Sequence, residues 1–375
     1  MYSSEDLERF YFQYQTESLS KGESLHPFCV KDKVSCNIFL KKVSFALIIF
    51  DFSKEYILYM AQVSVLLPAY NAESTIAEAI QSIIDQTYKD WELYVINDGS
   101  VDQTEEVILS FKDNRIRYLK NDRNMGLIYT LNRGLAIAGC KYIARMDADD
   151  ICMSTRFEKQ VLYLELHPEV VICGTQIEYF GTKSNNYTKL FFPTKDKELK
   201  EMLAVSTCFA HPTIMMRRKV MVDNKIQYDY NYKNAEDYCM WIEMMKFGKF
   251  ANLDEPLLQY RISDTQVSQP FNLQTINSVM ACKRKYLEQY LLKEEVDDLF
   301  EYPIDISTIK GIKQKLNNPR VIEACYLSLE EYSLKSLLYY LFSTDVFKLG
   351  FGAFIRYMKR FILGQNPVYC NVRLV

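Results

Sequence analysis

The sequence predicts an α/β fold, with a mostly parallel central sheet flanked by helices and a C-terminal helical region. Three observations carry that prediction. From Val63 onward, short apolar runs alternate with helical patterns, as parallel strands joined by crossover helices do. The 375 residues exceed one average domain, and 49% of them are hydrophobic against 25% charged, a globular composition with ample core. Beyond about Gln266 strand signals fade and the remainder reads as helix. These shifts divide the chain into an N-terminal extension over 1–59, an α/β domain over 60–268 and a helical region over 269–375.

Residues 1–59 lack clear periodicity and read as an accessory extension; Met60, just before the first convincing strand, marks an alternative start. That strand is Val63–Leu67, stopped by Pro68-Ala69-Tyr70-Asn71. Ile76, Ile80, Ile83 and Ile84 share one helical face. Glu92–Ile96 is a second buried strand, Thr104–Phe111 a helix and Ile116–Leu119 a third strand. Leu127, Leu131 and Leu135 mark a helix leading into a strand over Tyr142–Met146. Ser154, Thr155 and Glu158 look like a helix start, and Phe157, Val161 and Leu164 continue that helix to Pro168. Val170–Phe180 and His211–Arg217 read as strands, with a short charged helix over Lys195–Val205 between them. Glu236–Phe247 is helical, with Gly248 placed as its C-cap.

Composition excludes several functions. The formal charge is −3 with no basic footprint, so no nucleic-acid partner is expected. Ten cysteines, with no C-x-x-C pair, and three distant histidines (His26, His167, His211) argue against zinc and for reduced, cytosolic thiols. Glu5, Asp6 and Glu8 replace the basic start of a signal peptide, and the run Phe45–Phe50 is too short to span a bilayer. The protein is expected to be soluble or peripheral.

In parallel α/β sheets ligands bind at the carboxyl ends of strands. Pro68–Asn71, Asn97–Asp102 and Asp147–Asp150 all lie at such ends, so one cleft can collect them. Tyr70 offers a ring face to a base and Asp98 a carboxylate to a base N–H; Asp98-Gly99-Ser100 is equally the composition of a turn that caps the next helix. Asp147 and Asp149, two apart with small Ala148 between them, point the same way in an extended segment and suit Mg²⁺ or Mn²⁺. Residue type alone also permits a solvated acidic turn there.

Val63-Ser64-Val65-Leu66-Leu67-Pro68-Ala69-Tyr70-Asn71, Val95-Ile96-Asn97-Asp98-Gly99-Ser100-Val101-Asp102 and Met146-Asp147-Ala148-Asp149-Asp150 together resemble the nucleotide-sugar-binding half of family 2 glycosyltransferases with the GT-A fold. The likeness runs in order from Gln62 to Ser268. It implies that Asp98 contacts the nucleobase and Tyr70 lines its pocket, while Asp147 and Asp149 hold ribose, Mn²⁺ or Mg²⁺, and diphosphate. Pro68, Asn71, Ala148, His211 and Arg261 complete the implied donor site. Asn97 departs from the pattern, since many relatives carry a second Asp there. Asn234-Ala235-Glu236-Asp237-Tyr238 resembles the family's E-D motif, which implies Asp237 as the base and Glu236 as a positioning residue. Both acids also suit the first turn of any helix. Phe209–Thr213 resembles the segment on the sugar and acceptor side, and Tyr260-Arg261-Ile262-Ser263 a loop that folds over the diphosphate, with Arg261 a phosphate partner.

The resemblance implies an inverting, metal-dependent enzyme that moves a single sugar from a nucleotide-diphosphate sugar, a UDP-sugar, to a glycan or lipid-linked acceptor in surface polysaccharide synthesis. The Q-x-x-R-W of processive synthases is absent, which favours single transfers. A sugar nucleotidyltransferase would need a Gly-rich, Arg-containing loop where Pro68–Asn71 stands. A non-catalytic nucleotide-binding protein at a membrane would not need Asp147, Asp149 and Asp237 together. In the tail, Phe347, Phe351, Phe354, Ile355, Met358, Phe361 and Ile362 form one helical stripe flanked by Lys348, Arg356, Lys359 and Arg360. That pattern suits a helix lying on the inner face of an anionic membrane, although a bundle helix also has such a stripe.

Overall fold

The strand expected at Val63 spans Val63–Ala69 (β1) and is buried along its whole length, as a parallel strand covered on both faces must be. The computed structural model describes residues 63–181, 191–262 and 273–300, with seven further positions within 311–321. The expected extension over 1–59 and the apolar stripe of 347–362 lie outside these residues. Among them, no helix is long and apolar enough to cross a membrane.

Among the described residues seven more strands join β1: β2 (Trp91–Asn97), β3 (Ile116–Lys120), β4 (Tyr142–Arg145), β5 (Ile151–Cys152), β6 (Val170–Phe180), β7 (Met215–Arg217) and β8 (Lys249–Arg261). Their order is β3-β2-β1-β4-β7-β6-β8-β5. From β3 to β4 every pairing is parallel. Strand β7 then runs antiparallel to both β4 and β6, β8 is parallel to β6, and the two-residue β5 is antiparallel to β8. The sheet is thus a parallel half joined through one reversed strand to a mixed half.

Helices α1 (Ile76–Ile84), α2 (Thr104–Ser110), α3 (Leu127–Ile137) and α4 (Arg156–Leu166) follow β1, β2, β3 and β5; α5 (Asp196–Met202), α6 (Arg218–Asp223), α7 (Glu236–Met244), α8 (Leu273–Leu287) and α9 (Lys293–Phe300) complete the described set. Alternation along β1 divides the core. Val63, Val65 and Leu67 pack with Ile76, Ile80 and Ile83 of α1 and with Phe157, Val161 and Leu164 of α4. Leu66 faces the other way, into a second cluster with Leu131 of α3 and Met240, Trp241 and Ile242 of α7.

Several local expectations fail for identifiable reasons. His211–Arg217 is not one strand: Pro212 sits in a 3-10 turn over His211–Thr213, and only Met215–Arg217 joins the sheet. The strand before the acidic cluster ends at Arg145 rather than Met146. Thr155 precedes α4 but makes no side-chain capping bond, and Glu158 instead accepts a hydrogen bond from Thr87 Oγ1 at 2.8 Å. Gly248 lies beyond the end of α7 and is not its cap. A Cβ there would stand 2.3 Å from Val171 Cγ1 and 2.7 Å from the Glu169 carbonyl, so close approach to β6 explains the glycine.

Beneath the carboxyl end of β4 lies the fully buried Arg156. Its Nη2 donates to the carbonyls of Arg145 (3.0 Å) and Ile214 (3.2 Å), and its Nε to Gln160 Oε1 (3.0 Å). Gln160 Nε2 in turn donates to the carbonyls of Cys173 (2.6 Å) and Thr213 (2.8 Å). One helix face therefore clamps β4, β6 and the 3-10 turn together. Replacing Arg156 with Met keeps the bulk but strands the Arg145 carbonyl and Gln160 Oε1, each a loss of about 1–3 kcal/mol, and leaves the Ile214 carbonyl only the Arg145 N–H. Chemical denaturation of Arg156→Met is expected to show a loss of several kcal/mol; a midpoint equal to the wild type refutes the clamp.

Candidate active site

Strands β2, β1 and β4 are neighbours, so their carboxyl ends fall side by side. In register, Ala69 lies opposite Asn97 and Leu66 opposite Arg145. Pro68 is buried within β1, while Tyr70 just past it is 47% exposed and presents its ring to solvent at the sheet edge. Asn71 takes a left-handed conformation (φ 48°); its N–H donates to Ser100 Oγ and its Oδ1 accepts from the Val101 N–H, both at 3.0 Å. Asn71 therefore ties the first loop to the second. Gly99 (φ 70°) permits the second loop to turn hard against Arg123, whose backbone would stand 2.4 Å from a Cβ.

The departure at Asn97 has a structural use. Its Nδ2 donates to Tyr118 OH at 3.1 Å and its Oδ1 accepts from the Ser100 N–H at 2.9 Å. Asp98 is buried; Oδ1 accepts from Asn121 Nδ2 (2.7 Å) and the Met125 N–H (2.8 Å), and Oδ2 from the Gly126 N–H (2.8 Å). Of roughly four lone-pair sites on a carboxylate, Asp98 retains one for a ligand. It also orders the loop that leads into α3.

Asp147 to Asp150 form a turn after β4 rather than an extended run, so simple alternation does not align Asp147 with Asp149. Even so, Asp147, Asp149 and Asp150 each bring one carboxylate oxygen within 4.8 Å of the others. Asp150 is the most deeply buried member of the group. It is 1% exposed; Oδ1 accepts from the Arg261 N–H at 2.9 Å, and Oδ2 is buried without a partner. Burial, then the charges of Asp147 and Asp149, push its carboxyl well above the usual range. Burial and Asp147 likewise push Asp149 up to about 6. Crowded hard oxygens, one of them orphaned, fit a divalent cation. Ala148 is half-buried inside this turn.

Arg261 does not sit on a loop. It ends β8, where Nε donates to the Asp149 carbonyl at 2.6 Å, Nη2 pairs with Glu78, and the guanidinium lies 4.4 Å from the centre of the Phe180 ring. It buttresses the acidic turn from behind, and Ser263 of the same motif lies outside the described residues.

On the opposite side, α7 begins with Glu236 and Asp237. Glu236 is buried and Asp237 half-buried. Burial raises both; with the charge of Asp237 adding to it, Glu236 reaches about 7. His211 Nε2 lies 2.8 Å from Tyr228 OH, and its ring stands edge-on to Trp241 at 5.8 Å. Burial and the charge of Arg145 hold His211 well below its ordinary pKa, so it is neutral. Arg145 joins the two sides: it pairs with Asp147, and its charge acts on Glu236, Asp237 and Tyr228. Sequence reasoning missed Arg145 and Tyr228. The available signal was an arginine closing the otherwise apolar strand Tyr142-Ile143-Ala144.

Comparison with known proteins adds four findings. A family model described as "Glycosyl transferase family 2" matches residues 64–224. An uncharacterized glycosyltransferase of Haemophilus influenzae is 34% identical over 321 residues, which cover 82% of this chain and 98% of that protein. The Escherichia coli UDP-Glc:alpha-D-GlcNAc-diphosphoundecaprenol beta-1,3-glucosyltransferase WfgD is 29% identical over 208 residues, 55% of this chain and 79% of its own. Among solved structures, S. aureus TarS 1–349 in complex with UDP-GlcNAc aligns with a TM-score of 0.54 at 16% identity. That alignment covers 81% of this chain and 92% of TarS 1–349, and at such identity it shows a shared fold.

The buried Glu236 makes folding pH-dependent. Its carboxyl rises from an ordinary 4.5 to about 7, so its contribution to stability is complete below about pH 4.5 and is lost as pH rises through 7. The loss approaches about 3 kcal/mol, at roughly 1.4 kcal/mol for each pH unit between the two values. Glu236→Gln removes the ionisation, so its stability relative to wild type is expected to be higher at pH 8 than at pH 5. An equal difference at both pH values, measured by urea denaturation, contradicts this.

Proposed function

The chain belongs to glycosyl transferase family 2, and from the two carboxylate groups that meet in its site we infer an inverting transfer of one sugar. The donor is a nucleotide-diphosphate sugar, a UDP-sugar, and the acceptor a glycan or lipid-linked saccharide of surface polysaccharide assembly. The observation that carries this reading is the pairing of a cation-suited acidic turn, Asp147–Asp150, with the carboxylates Glu236 and Asp237 across Arg145. The donor's nucleoside diphosphate and the lipid-linked acceptor both find support in the E. coli relative, whose name specifies UDP-Glc and a GlcNAc-diphosphoundecaprenol.

Each residue then has a task. Tyr70 stacks on the nucleobase and Asp98 accepts its N–H with the lone pair left to it. Asp147, Asp149 and Asp150 are the residues that would hold Mn²⁺ or Mg²⁺, and the unpartnered Asp150 Oδ2 fits that use. When bound, such a cation stabilises the charge that grows on the departing diphosphate. Asp237, the more open acid of its pair, takes the proton of the acceptor hydroxyl as that oxygen attacks the anomeric carbon opposite the leaving group. Its raised proton affinity suits that role, because a more basic carboxylate better holds the proton it removes. Glu236 positions the acceptor, and neutral His211 with Tyr228 walls the sugar side.

Two variants separate chemistry from donor binding. Asp237→Asn keeps size and polarity but accepts no proton, so turnover is expected to fall by about a hundredfold to ten-thousandfold with donor affinity unchanged. Asp149→Ala is expected to weaken both donor binding in Mn²⁺ and turnover. Calorimetric donor affinity that collapses in Asp237→Asn, or full activity of Asp149→Ala in a radiolabelled-sugar assay, overturns the assignment of roles.

The basic, Phe-rich segment from Val346 onward is proposed to hold the enzyme against the inner leaflet, where a lipid-linked acceptor presents its sugar. Truncation after Thr344 is expected to abolish pelleting with anionic liposomes. Equal pelleting of full-length protein with neutral and anionic vesicles refutes it.

A further inference from the structure

Arg145 is a charged residue of the site to which the proposed reaction gives no task. It closes β4 and is 3% exposed. Nη1 donates to Asp147 Oδ2, whereas Nε is buried with no hydrogen-bond partner. Its charge is felt by Asp149 and Asp150 on one side and by Glu236 and Asp237 on the other. Asp147 meanwhile belongs to the group whose carboxylate oxygens converge within 4.8 Å. A guanidinium and a divalent cation brought to the same carboxylate repel each other strongly at low dielectric. A buried arginine with an unmatched Nε is also under-satisfied where it stands, and carboxylates are its best partners.

We propose that Arg145 is a positioning residue that stands in for the cation, holding Asp147 in the free site and turning to Glu236 and Asp237 when a divalent cation takes Asp147. Loading of the donor side then delivers a counter-charge to the acceptor side. Two adjacent carboxylates, one buried and one half-buried, need such a charge if one of them is to stay ionised and accept a proton. The exchange at Asp147 requires only the cation. The second half rests on the transferase reading, since it concerns the base.

The test titrates Mn²⁺ alone into full-length protein, with free Mn²⁺ followed by electron paramagnetic resonance. Arg145→Met and Arg145→Gln both remove the competing charge, and both are expected to bind Mn²⁺ at least about tenfold tighter than wild type, since a like charge a few ångströms away at an effective dielectric of about 20 costs more than the roughly 1.4 kcal/mol that a tenfold change needs. Arg145→Lys retains the charge and is expected to bind Mn²⁺ as the wild type does. With donor and acceptor present, Arg145→Met is expected to lose at least about tenfold in kcat while the donor KM stays near wild type. A merely structural arginine would loosen the site and weaken Mn²⁺ binding on removal. Unchanged or weaker binding in both neutral variants therefore overturns the proposal, as does failure of both to fold, because a residue that exchanges partners is not one on which the fold depends. Absence of sugar transfer by the wild type across a panel of nucleotide sugars would defeat the proposed function yet leave the Mn²⁺ comparison standing.

Discussion

The site hangs on one buried guanidinium. Arg156 lies under the sheet where β4 ends, and its hydrogen bonds run to the Arg145 and Ile214 carbonyls and to Gln160. A charge so deep is costly unless every donor is met, and here carbonyl, amide and sulfur atoms meet them. The result is a fixed point for the chain as it leaves β4. The Arg145 carbonyl fixes where the acidic turn starts, and the Ile214 carbonyl fixes the turn that bears His211. Helix α4 thus fixes, from below, the two turns that flank the cleft.

Above that clamp the governing condition is crowding of negative charge. Asp147, Asp149 and Asp150 share one turn, and Glu236 with Asp237 begins a helix across from them. Burial makes Asp149, Asp150, Glu236 and Asp237 reluctant to ionise, and repulsion from neighbouring acids adds to it for the first three. Cations relieve the strain, and the chain supplies two of its own. Arg261 buttresses the turn from β8, and Arg145 lies between the two groups. A GT-A glycosyltransferase has a use for that arrangement. A carboxylate turn that is stable without a cation would gain little from binding one, whereas this turn keeps a buried oxygen without a partner.

Much of the parallel half could be read from the chain itself. Val63–Leu67 and Glu92–Ile96 are short apolar runs closed by turn residues, and the spacing of Ile76, Ile80 and Ile83 admits only a helix. The mixed half was harder to read. Asp254-Glu255-Pro256 looks like a break, yet β8 runs through it, because its pairing with β6 shifts register there and the short β5 leaves most of its outer edge unpaired. That hidden strand carries Arg261, which is why a strand end resembled a loop. Pro212 misled in the other direction, since His211–Arg217 reads as one strand while proline places a 3-10 turn over its first three residues.

The sequence by itself determined the α/β class, the three strand-end motifs and the identity of the acids, because periodicity and turn chemistry act within a few residues. Tertiary structure alone decided how those charges are balanced. Asp150 is met by the Arg261 N–H from 111 positions away, and Arg156 reaches the Ile214 carbonyl across 58. Arg145, Asp147, Glu236 and Asp237 become neighbours only when β4 and α7 converge on one cleft. Charge compensation acts through space and depends on burial, and neither quantity is set by spacing along the chain.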